Sequence, residues 1–96
     1  MSFKLIISPL AEIDLTEAYT HYADISFRVL SSFDKEVEEA YNILENSPFF
    51  NERYKNVRGL PLKTFPYIIF YTLDEIHKTI EIRSIFNTHQ DPKKYR

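Results

Sequence analysis

Seven consecutive residues, Tyr67-Ile68-Ile69-Phe70-Tyr71-Thr72-Leu73, carry no charge and are aromatic or β-branched almost throughout. That composition fits a pleated, mostly buried surface, so the run is expected to be the central strand of a sheet. Everything else has to pack around it. Just before it, Thr64-Phe65-Pro66 supplies a turn, because Pro66 fixes its own φ and disfavours the helical region at Phe65. A preceding strand is expected from Val57 to Lys63. It holds Gly59, the only glycine of the chain, and Pro61, which has no N–H for a ladder, so it should be an edge or be bulged near 59–61. After a loop at 74–78, residues Thr79 to Phe86 alternate: Ile80, Ile82 and Phe86 are expected on one face, Thr79, Glu81 and Arg83 on the other. Arg83 should therefore project away from the core or at its rim.

The first half reads as helical. Phe3 to Ile7 is a short strand, and Ser8-Pro9 gives an N-cap with proline at the first helical position. Ala11, Leu15, Ala18, Tyr22 and Ile25 then recur at helical spacing, while Glu12, Asp14 and Glu17 sit early, where the helix dipole favours negative charge. That helix should end near Ala23. Asp24 or Ser26 can cap a second helix, whose stripe is Leu30, Phe33, Val37, Ala40, Tyr41 and Leu44 and whose end is Asn46-Ser47-Pro48. A short connection between amphipathic helices favours an antiparallel hairpin. Residues 49–56 read as a connection. The expectation is one α+β domain over 1–96, ordered β-α-α-β-β-β, with the hairpin on one face of a small antiparallel sheet and a polar tail from about residue 87.

Several chemistries are disfavoured. Ninety-six residues support one core and no separate cofactor domain. A single glycine rules out glycine-rich phosphate loops, and the absence of cysteine removes disulfides, thiolate metal sites and cysteine nucleophiles. His21, His77 and His89 have no ligand spacing, so neither metal nor other cofactor is expected. The apolar run Leu5-Ile6-Ile7 falls short of the roughly 7 residues of even a minimal signal-peptide core and of the ~20 of a membrane span, which points to the cytoplasm and away from membranes.

What remains is cationic. Residues 1–48 hold nine acidic and three basic residues, net −6, and residues 49–96 hold five and nine, net +4. Arg53, Lys55, Arg58, Lys63, Arg83, His89, Lys93, Lys94 and Arg96 make the second half a candidate surface for an anionic partner, with Tyr54 and Tyr95 interleaved. Such a surface suits RNA phosphates or an acidic peptide equally.

The order of elements carries a resemblance. A Ser-Pro-opened hairpin with A-x-x-D-L at Ala11 to Leu15, Y-x-x-V-R-G-L-P-L at Tyr54 to Leu62, F-P-Y-x-I-x-Y at Phe65 to Tyr71 and N-x-x-x-D-P-K-K-Y at Asn87 to Tyr95 together resemble the RelE/ParE superfamily of toxins from bacterial type II toxin-antitoxin modules. The resemblance spans nearly the whole chain and implies a neighbouring antitoxin protein that wraps and neutralises the toxin. It also implies one of two targets. RelE-like members are ribosome-dependent ribonucleases that place an arginine directly after the tyrosine matched by Tyr67; here that position is Ile68, and the supporting lysine positions fall at Gly59 and Pro61. A ribonuclease of this chain would have to use Arg58, Arg83, His89 and Tyr95. ParE-like members bind and inhibit DNA gyrase, and the R-G-L-P-L and F-P-Y segments are more similar to that branch. A third possibility is a harmless module that only binds its partner. The resemblance thus implies a gyrase-binding toxin, and the cationic residues Arg53, Lys55, Arg58, Lys63, Arg83, Lys93, Lys94 and Arg96 are the candidates for binding its target or antitoxin.

Overall fold

The computed structural model describes residues 2–89. Its elements run β1 (Lys4–Ile7), α1 (Pro9–Ile25), α2 (Phe27–Asn46), β2 (Glu52–Tyr54), β3 (Val57–Pro61), β4 (Tyr67–Asp74) and β5 (Thr79–Asn87). The strands form one sheet in the order β1-β5-β4-β3-β2, so the apolar run is indeed the middle strand. The α+β architecture holds, with two additions. β2 lies inside the stretch read as a connection, and β1 pairs with β5 in parallel, which makes the sheet mixed. β2 has only three residues, too few to show an alternation, and the relative direction of the first and last strands is set by how the whole chain closes.

Serine does much of the turning. Ser8 caps α1, its Oγ accepting from Ala11 N at 3.2 Å. Ser26 alone joins the helices: its N–H donates to Tyr22 O and closes α1, while its Oγ accepts from Val29 N at 3.1 Å and opens α2. α1 therefore continues to Ile25, past the expected stop, because an extended serine, not Asp24, breaks it. Ala11, Ala18 and Tyr22 face the sheet as expected, whereas Ile25 is exposed.

The hairpin meets the sheet through aromatic rings. Phe33 and Tyr22 are 4.9 Å apart, Tyr22 and Phe65 5.0 Å, and Phe33 and Tyr67 5.4 Å, joining both helices to the start of β4. Such contacts add about 0.5–1.5 kcal/mol per pair beyond the area they bury. Glu36, expected on the solvated side of α2, instead accepts from Thr64 N at 2.7 Å and Phe65 N at 3.3 Å and so fixes the β3–β4 turn. None of the helices among the described residues is long and apolar enough to cross a membrane.

One irregularity decides the faces of β5. Phe70 pairs with Ser84 but Tyr71 pairs with Ile82, so Arg83 is an extra residue, a β-bulge. The bulge reverses the alternation. Ile80, Ile82 and Ile85 join the main core under the helices, and Phe86 goes to the opposite face, contrary to the strict period-two reading.

α1 compensates for the end of β1. Beyond Ile82, no strand among the described residues pairs with β5 on that side. Ser8 Oγ donates to Arg83 O at 3.1 Å, and Asp14 Oδ2 accepts from Ile85 N at 3.0 Å. Asp14 is 7% exposed, so this early acid is an inward-facing acceptor rather than a solvated dipole partner. A buried strand N–H has to find an acceptor, and this carboxylate supplies it.

Candidate functional site

The sheet face away from the helices carries a second apolar cluster of Val57, Ile68, Phe70 and Phe86, against which Tyr54 packs. Phe70 lies 6.1 Å from Phe86 and 6.3 Å from Tyr54, ring to ring. Ile68 is 9% exposed and is part of this cluster's packing. The side chain that follows Tyr67 is thus on the sheet face rather than among the helices, and it brings hydrocarbon there, not charge.

Gly59, Phe70 and Ser84 stand opposite one another on β3, β4 and β5 and make one row across this face. Cations stand at both ends of the row. At one end Arg53 of β2 lies over Gly59: a methyl group there would sit 3.0 Å from Arg53 Cγ and Nε and 3.2 Å from Ile68 Cγ2. At the other end is Arg83, exposed by the bulge beside Ser84, with Glu81 Oε1 3.6 Å from its guanidinium. Both partners of that pair are about half exposed, so it contributes at most about 1 kcal/mol and leaves Arg83 available. Ser84 Oγ is buried with no hydrogen-bond partner among the described residues.

The other predicted cations are not on this row. Arg58 shares parity with Leu60 and pairs with Tyr71, and its guanidinium donates to Phe50 O at 2.9 Å. Tyr71 OH donates to Pro48 O at 2.7 Å and accepts from Phe50 N at 3.4 Å, so the two side chains together fasten 48–50 to the sheet. Burial pushes the Tyr71 phenol up from its usual range, partly offset by the Phe50 hydrogen bond and the Arg58 charge. Lys55 is exposed at the tip of the β2–β3 turn, where it and Asn56 both have positive φ, 33° and 70°. Lys63 lines a groove of about 340 Å³ between α2 and β3, together with Ile43, Leu60 and Leu62. His89 is exposed just past β5, its N–H bonded to Asn87 Oδ1. Lys93, Lys94, Tyr95 and Arg96 lie outside the described residues.

A polar cleft of about 250 Å³ went unnoticed in the sequence; Asp14, Glu17, His21, Tyr67 and Asn87 line it. Burial first, then the neighbouring Tyr22, pushes the Tyr67 phenol up to about 12. Only the A-x-x-D-L pattern hinted that Asp14 was special. Among the described residues no group of three or more His, Cys, Asp or Glu could hold a metal ion.

The sequence profile of the ParE toxin of the type II toxin-antitoxin system parDE matches residues 5–92. No curated protein sequence is a significant match. Among solved structures, the chromosomal ParDE toxin-antitoxin system from P. aeruginosa superposes with a TM-score of 0.75 at 21% identity, covering 90% of this chain and 96% of that one. The RelBE2 toxin-antitoxin complex from Mycobacterium tuberculosis superposes with a TM-score of 0.63 at 17% identity, covering 91% and 99%. At these identities the two structures share the fold with this chain.

Proposed function

The chain belongs to the ParE toxin family of type II toxin-antitoxin systems, and from that premise we propose that it acts by binding its target, that this target is DNA gyrase, and that a cognate antitoxin protein neutralises it. One observation carries the choice of binding over RNA cleavage. Ile68, packed among Val57, Phe70 and Phe86, stands where the resemblance would require an arginine. Cleaving RNA without a metal depends on cations aimed at the charge that develops in the transition state, and isoleucine offers none. Of the other residues a ribonuclease would use, Arg58 is engaged with Phe50 O on the helix side, while Arg83 pairs with Glu81 on the opposite face.

The antitoxin part of the reading is supported by the two related structures, both of toxin-antitoxin systems. Of the predicted cations among the described residues, Arg53, Lys55, Lys63 and Arg83 are exposed to a partner. The test is a supercoiling assay with purified gyrase. Inhibition relieved by the antitoxin supports the reading; normal supercoiling, together with cleavage of mRNA on translating ribosomes, would replace it with the ribonuclease.

A further inference from the structure

Of the exposed cations, Arg53 is set apart by how it is held. Its stem lies over Gly59, the only glycine in the chain, where a methyl group would come within 3.0 Å of its Cγ and Nε, so a side chain that ordinarily samples many rotamers rests on bare backbone. A Cβ at position 59 would make it give by a few tenths of an ångström. Arg53 is exposed, and among the described residues it makes no ion pair or hydrogen bond through its side chain. An arginine ordered along its stem and unengaged at its head has already given up much of the entropy that binding would cost. We propose that Arg53, seated in the cleft left by Gly59, is the anchor by which the sheet face grips a carboxylate side chain of a partner protein, which rests on the reading of the cationic second half as a partner-binding surface.

A planar guanidinium fork matches a carboxylate or a phosphate equally well, so charge has to choose between protein and nucleic acid. Stable nucleic-acid binding generally neutralises several phosphates, about 6–10 in strongly salt-dependent cases. The described residues of this face do not supply that many. Arg53 and Arg83 stand at opposite ends of the row, Glu81 already lies 3.6 Å from Arg83, and the chain as a whole is acidic, at net −2 with an isoelectric point near 5.9. A phosphate backbone laid across the described part of this face would meet the Glu81 carboxylate beside Arg83. One well-placed carboxylate needs only one fork.

The test uses the full chain, ¹⁵N-labelled, titrated at constant ionic strength with an acetylated, amidated tetraglutamate peptide while the arginine Nε–Hε resonances are followed. The Arg53 resonance is expected to move saturably and further than that of Arg28, which sits on the acidic hairpin. Arg53→Lys keeps the charge and loses the fork; Gly59→Ala keeps the arginine and removes its seat. Each should weaken peptide binding about tenfold with an unchanged circular-dichroism spectrum. An Arg53 response no larger than that of Arg28, or full affinity in folded Gly59→Ala, overturns the proposal. So does tighter binding of a short oligothymidylate than of the peptide at physiological salt, which would reassign the face to nucleic acid. If Gly59→Ala does not fold, Arg53→Lys decides alone. The titration contains no gyrase, so a chain that leaves gyrase untouched still gives an independent answer here.

Discussion

Asp14 and Arg58 are charged residues working as structural acceptor and donor. Removing the Asp14 carboxylate leaves the Ile85 N–H buried without this acceptor, so Asp14→Ala is expected to cost about 1–3 kcal/mol. Asp14→Asn retains an acceptor oxygen and should recover part of the loss; urea denaturation of the two variants checks the difference. Arg58→Gln tests the other residue. Loss of the guanidinium bond to Phe50 O should destabilise the chain by roughly 1.5–3 kcal/mol, toward the lower end because the side chain is only half-buried. Hydrogen exchange should rise first at residues 48–50. A target-binding Arg58 with no structural part would instead leave stability unchanged.

Two turns decide how the elements are joined. Ser26 is both the last contact of α1 and the cap of α2, and Ser26→Ala is expected to lower stability by about 1 kcal/mol through the lost Val29 N–H bond. The β2–β3 turn is the reverse case. Lys55 and Asn56 occupy left-handed φ values that suit Asn-Gly in a two-residue hairpin, so the double change Lys55→Asn with Asn56→Gly should raise stability by about 0.5–1 kcal/mol. The midpoint of a urea titration reads both. β2 is held by its pairing with Val57 and Arg58 and by Tyr54 against Phe70. The same change should therefore steady the hairpin that carries Arg53.

At the scale of the molecule, buried tyrosines set the behaviour in alkali. Burial pushes Tyr67 and Tyr41 up to about 12 from 10.0, and Tyr19 and Tyr71 move in the same direction for the same first cause, with Asp34 adding to the effect at Tyr19. Between those values the unfolded chain has released phenolic protons that the folded chain keeps. The unfolded state then binds fewer protons, so stability falls as pH rises. The contribution is fully present below pH 10.0 and is lost progressively toward about 12. Urea unfolding across this window, with tyrosinate absorbance alongside, should show the loss of stability and the appearance of phenolate together.

Local physics in the sequence was enough to place β4 by its apolar run, the two helices by their spacing and serine caps, and the family by motifs in order. The charge asymmetry likewise marked the second half as the cationic one. Long-range closure decided the rest. The parallel pairing of β1 with β5 and the three-residue β2 depend on which segments meet, and no residue in either strand encodes that meeting. The bulge at Arg83 inverted the expected face of Phe86 because an inserted residue shifts every later side chain by one position in a period-two strand. Position also sorted the cations, turning Arg58 inward to Phe50 O and seating Arg53 over Gly59. The charge of an arginine is fixed by its chemistry. Whether that charge is spent on the protein's own carbonyl or left for a partner is fixed by what the fold places beside it.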